Sequence, residues 1–219
     1  MTTYFNALSL IHDFPNDPEI VMAAVTVDGK ALKFASETLQ NNKDIVMAAV
    51  KKNGLALEFA SKDRQNDKDI VLAAVQQNGE ALRYASEDRQ NDPDIVLAAV
   101  KQAGWVLRYA GKEIENDPRY TDIVLAAVQT AGWAIKFASE DLKIDPRYPD
   151  IVLAAVTNYG KALEFAPETL QNNKDIVLAA VKEDGLALEF ASKDRQNDPN
   201  IVMAAVQQNG LALEYVGED

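Results

Sequence analysis

The chain has 219 residues, 47% of them apolar, which is ample for a core. Its formal charge of −12, from 34 acids against 22 bases, repels a phosphate backbone unless the bases gather on one face. With no cysteine and a single histidine, His12, disulfides, thiolate or two-histidine metal sites and cysteine nucleophiles are excluded. No apolar run approaches the roughly 20 residues that cross a bilayer, and the opening MTTYFNALSLIHDF lacks the basic start of a secretory signal. The default expectation is a cytoplasmic protein with no cofactor, no metal, and neither membrane nor nucleic acid as partner.

Residues 1–16 read as an N-terminal capping helix. Thr3 can cap it, and Tyr4, Phe5, Leu8, Ile11 and Phe14 are expected to face the first repeat, with His12 on the cap outside any site. From residue 17 to 219 the chain repeats itself as one solenoid domain. Ala-Ala-Val begins at Ala23, Ala48, Ala73, Ala98, Ala126, Ala154, Ala179 and Ala204, at steps of 25 residues except for two central steps of 28. A glycine follows each triplet, from Gly29 to Gly210.

Each unit predicts two helices. In NDPDIVLAAVKQAG, Asp92 suits the N-cap, Pro93 the first helical position, and Asp94 the positive end of the helix dipole. Ile95 to Val100 are apolar around the whole circumference, so neighbours are expected on nearly every side. Gly104 is expected to end the helix in the left-handed conformation. A second, shorter helix follows, as in WVLRYA or LALEFA. Pro167 sets its end near Ala166, and the rest, such as SKDRQND, reads as a polar turn. A 25-residue unit cannot bury its own apolar faces, whereas stacked units can. The predicted fold is therefore all-α, an α-solenoid of eight two-helix repeats behind a capping helix.

The pattern DIVLAAVxxxGxALxFASxxLxxD, which runs from Asp17 to Tyr215, resembles an uncharacterised repeat family of bacteria and eukaryotes known only as a domain of unknown function. That resemblance implies the fold and brings no activity and no catalytic residue. Within the chain, Glu37–Asp67 and Glu168–Asp198 match at 28 of 31 positions, as after a recent segmental duplication or in a consensus-like array. Surfaces so alike do not carry specificity, which is expected elsewhere.

The centre departs from the pattern. Trp105 and Trp133 follow the glycines of repeats four and five, Tyr159 replaces the Asn or Asp usual before the next glycine, and the lengthened turns add Arg119-Tyr120 and Arg147-Tyr148, each in DPRY. Equivalent positions stack in a solenoid, and Trp, Tyr and Arg are the types in which binding energy concentrates. Two readings of the tryptophans stand open: a recognition patch, or core that fills the gap opened by three inserted residues. Tyr120 and Tyr148, in turns, are expected at the surface, and Tyr109 and Phe137, which recur in every repeat, in the core. At the far end Leu211, Leu213, Tyr215 and Val216 are expected to leave an apolar patch suited to self-association.

Asp63, Asn66, Asp67 and Asp69 have the oxygens for calcium, but there is no glycine for a sharp turn, and Asp67 is needed as an N-cap. Carboxylates recur with the repeat instead of forming one acid–base pair, and no phosphate loop or nucleophile elbow is present. The reading is a non-enzymatic scaffold that binds a protein or peptide through repeats four to six. The alternatives are a self-assembling structural array and an acidic mimic of nucleic acid.

Overall fold

A computed structural model describes residues 2–217, with side chains from Leu8 onward, and among these residues every regular element is helical. The chain divides into two compact units, Met1–Asp117 and Pro118–Asp219. Each is an α-solenoid of four repeats, and in the first unit the capping helix Thr2–Asp13 packs on the first repeat. Ile11 is fully buried there and Leu8 half-buried, but Phe14 is 50% exposed, contrary to expectation. The expected roles of the Thr3, Tyr4 and Phe5 side chains lie outside the described residues. His12 rests its ring against Phe34, 4.1 Å between centroids.

Repeat two shows the common plan. Its long helix, Lys43–Lys52, starts at Asn42, whose side chain accepts from the amides of Asp44 and Ile45. Ile45, Val46, Ala49 and Val50 are buried, while Met47 and Ala48 are only half-buried. The helix is thus covered on one broad side rather than all round. The second helix, Gly54–Phe59, is a 3-10 helix. At six residues it brings Gly54 and Leu57 into register at i and i+3, and both are buried. The stretch read as a polar turn holds a third element, the four-residue α-helix Lys62–Gln65. Its Gln65 is buried, and its amide nitrogen donates to the carbonyls of Leu57 (3.1 Å) and Glu58 (3.3 Å) at the end of the 3-10 helix, the first of which also accepts the Ala60 amide.

Within each unit, long helices pack on the next long helix and 3-10 helices on the next 3-10 helix, with the core between the two layers. The repeated glycine does not take the left-handed conformation expected of it; no described glycine has positive φ. Its reason is close approach. A Cβ at Gly54 would lie 2.3 Å from the Ala74 carbonyl oxygen of the following repeat, and one at Gly29 2.3 Å from that of Ala49. At Gly210 it would meet open space.

A set of charged residues serves the joints between repeats. Asp67 caps its helix, accepting from Asp69 and Ile70, and pairs with Lys43 and Arg64 of the preceding repeat, each at 3.1 Å. Asp69 pairs with the same Lys43. The turn considered for calcium is therefore occupied by capping and ion pairs. Lys68–Asp92 and Lys174–Asp198 repeat the arrangement. No helix among the described residues is long and apolar enough to cross a membrane.

Candidate functional site

The two lengthened repeats replace the third element. Where repeats one to three, six and seven carry a short α-helix ending in glutamine, repeat four has the 3-10 helix Lys112–Asn116 and repeat five Glu140–Ile144. The inserted Tyr120 and Tyr148 then open the long helices Tyr120–Thr130 and Tyr148–Asn158.

Both tyrosines are buried, at 6% and 3% exposure, which corrects the expectation of a surface position. The third elements that precede these two tyrosines lack the glutamine, and both phenol rings are buried in its absence. In ordinary repeats the serine after the 3-10 helix donates its amide to the glutamine carbonyl of the repeat before, as Ser61 does to Gln40 at 3.0 Å. Ser139 donates instead to the Tyr120 hydroxyl, at 2.8 Å. At the next such position stands Pro167, which has no amide proton to satisfy. Burial pushes the Tyr148 phenol up to about 12, with the Glu140 charge adding to it.

Other insert residues form joints between repeats. The Thr121 hydroxyl donates to Asp145 at 2.8 Å, and Arg147 pairs with Asp122 at 2.9 Å and Asp145 at 3.5 Å. The Arg147 amide and the Thr121 hydroxyl hold the Asp145 carboxyl below its ordinary value. Arg119 is exposed at the N-cap of its helix.

The tryptophans have the opposite fate. Both are half-buried on the outer side of the 3-10 layer, Trp105 in the first unit and Trp133 in the second. Trp105 meets Tyr109 edge-on at 6.0 Å, and Trp133 meets Phe137 edge-on at 5.9 Å. Tyr109 and Phe137, expected in the core, are themselves half-buried. The inner positions of the 3-10 helix belong to Leu107 and Ile135, so the aromatic two residues later turns outward.

In the second unit Trp133 and Tyr159 come together. Tyr159 precedes Gly160 and is 37% exposed, and its Cβ lies 2.9 Å from where a Cβ on Gly132 would stand, beside Trp133. With Phe165, Lys136 and Glu164 they line a cleft of about 370 Å³. The Lys136 ammonium lies 4.9 Å from the Trp133 ring centre. Three aromatic side chains of successive repeats thus share one open recess with a cation and a carboxylate at its rim. Sequence reasoning named Trp133 and Tyr159 but missed Phe165, Lys136 and Glu164. Their signal is position: 3-10 helices stack on one another, so the fourth and fifth residues after each glycine recur along one face.

Two other depressions are larger but less distinctive. One, of about 690 Å³, lies over Glu168, Asn172, Ser192 and Asp194, where Ser192 and Asn172 already bond to each other at 2.8 Å. The other, of about 530 Å³, runs between the long helices past Leu125, Leu153 and Asn158. Leu211 and Leu213 are each 61% exposed and Met203 59%, while Tyr215 and Val216 are half-buried.

A family model described as a domain of unknown function (DUF4116) matches residues 17–65, 66–115, 120–171, 148–196 and 173–219. No curated protein and no solved structure matches the chain.

Proposed function

Because the chain belongs to the DUF4116 family, whose description assigns no function, we propose a role from the site itself: a non-enzymatic scaffold that takes a peptide segment of a partner on the outer face of its 3-10 helices. One observation carries this reading, the recess shared by Trp133, Tyr159 and Phe165. Large aromatic side chains held by a rigid stack lose little freedom on binding, and they are enriched where interfaces concentrate their energy. The carboxylates that a hydrolase would use are spread over cap positions such as Asp67, Asp92 and Asp198, which supports a role without catalysis.

The test is selection of peptides from a displayed library on the wild-type chain, then affinity measurement on Trp133→Ala and Tyr159→Ser. The reading expects at least a tenfold loss on Trp133→Ala with the helical circular-dichroism spectrum unchanged. Selected peptides that bind both variants as well as wild type would contradict it.

A second reading, assembly of copies through Leu211 and Leu213, has their exposure in its favour. Light scattering across a concentration series tests it. Mass should rise with concentration and the rise should vanish in Leu211→Gln/Leu213→Gln; a constant monomer mass removes the reading.

A further inference from the structure

The outer face of the 3-10 layer repeats a pair: a charged residue followed by an aromatic. In the first unit the pairs are Lys33-Phe34, Glu58-Phe59, Arg83-Tyr84 and Arg108-Tyr109. Three of these four carry their own cation over the ring, Lys33 at 4.5 Å, Arg83 at 4.4 Å and Arg108 at 5.3 Å from the centroid. Arg83 also bonds to the hydroxyl of Tyr84. A cation over an aromatic ring is thus a state this face adopts with its own side chains.

In the second unit the series runs Lys136-Phe137, Glu164-Phe165, Glu189-Phe190 and Glu214-Tyr215. Lys136 covers Phe137 at 5.1 Å. Among the described residues no cation is placed over Phe165, Phe190 or Tyr215, and Lys161, the base nearest to Phe165 in sequence, pairs with Asp184 at 3.9 Å. The three glutamates are exposed and the three rings half-buried. A carboxylate gains nothing on the negative face of a ring, so each pair offers a ring face and an adjacent charge that a cation satisfies together.

We propose that the second unit binds an extended basic peptide, whose arginine or lysine side chains lie over Phe165, Phe190 and Tyr215 and pair with Glu164, Glu189 and Glu214. This rests on the peptide-scaffold reading and names the chemistry of its ligand. Packed helices stand about 8–10 Å apart, and a peptide in the polyproline II conformation advances about 3.1 Å per residue and returns to the same face every third residue. The basic residues are therefore expected at every third position. The planar guanidinium stacks on rings and pairs with carboxylates better than an ammonium, so arginine is preferred.

The experiment uses the full chain at physiological ionic strength. The probe is a labelled synthetic peptide with arginine at every third position among glycine and serine, read by fluorescence anisotropy. Its control replaces each arginine by citrulline, which keeps the shape and removes the charge. Two triple variants are compared: Glu164→Gln/Glu189→Gln/Glu214→Gln, and Glu168→Gln/Asp175→Asn/Asp194→Asn, which removes the same charge elsewhere on the same unit. The proposal expects the first variant and the citrulline peptide each to weaken binding at least tenfold, and the second variant to change it less than threefold. Equal weakening by both variants, or no binding of the arginine peptide to wild type, overturns it. If library peptides without bases still bind through Trp133, the ligand chemistry falls and the scaffold reading stands. If they do not, both fall.

Discussion

The Tyr120 hydroxyl accepts the Ser139 amide at 2.8 Å, in the place where other repeats use a glutamine backbone carbonyl. A bond within repeat five thereby stands where other repeats use a joint to the repeat before. Tyr120→Phe leaves the amide without its acceptor in a part-buried site, at a cost of about 1–3 kcal/mol in urea denaturation. Tyr148→Phe should cost less, because Pro167 has no amide to strand. Equal losses in the two variants would show that the ring alone matters.

The glycine in each repeat should matter only where a following repeat presses on it. Gly54→Ala drives a methyl to 2.3 Å from the Ala74 oxygen and is expected to cost roughly 1–3 kcal/mol or more. Gly210→Ala meets open space at negative φ and should be neutral or stabilise by about 0.4–1 kcal/mol. Thermal unfolding of the two variants checks the contrast.

Helix starts were legible because caps are local: Asp92-Pro93-Asp94 needs no knowledge of the fold, and Asp92 does cap its helix. The glycines were misread because close approach and positive φ both demand glycine, and only the neighbouring repeat tells which applies. Lys62–Gln65 passed for a turn because its polar residues have no apolar period, and Gln65 is held by carbonyls of the 3-10 helix before it. Tyr120 and Tyr109 changed places, each for its own reason. A turn tyrosine became core because the glutamine was missing, a signal that is present in the chain: the two 28-residue steps are where the third element lacks it. Tyr109 and Phe137 turned outward because a 3-10 helix has three residues per turn, so positions that share a face in an α-helix separate.

If the DPRY turns are joints, breaking one should leave binding alone. Arg147→Ala removes surface pairs with Asp122 and Asp145 and should lower stability by no more than about 1 kcal/mol. Affinity for a peptide selected on the wild type should stay within twofold. A larger loss of affinity would return the turns to the binding site.

Stability should fall at both ends of the pH range for identifiable groups. The Lys174 ammonium, together with the Asn200 and Ile201 amides, holds the Asp198 carboxyl below 3.8 against the opposing effect of burial. Its stabilising share is present above 3.8 and is lost as pH falls through the depressed value. Tyr148 is raised from 10.0 to about 12, so its share is intact below 10 and is lost as pH climbs toward 12. Denaturation across pH should show Asp198→Asn flattening the acid limb and Tyr148→Phe the alkaline one.

The most direct test tracks Trp133 itself. In a Trp105→Phe chain, Trp133 is the sole tryptophan, and iodide quenching reports its access to water with and without a selected peptide. The scaffold account predicts ready quenching in the free chain, as its half-buried position requires, and clear protection at saturating peptide. Quenching that stays the same while anisotropy shows the peptide bound would place the binding surface elsewhere and contradict the account.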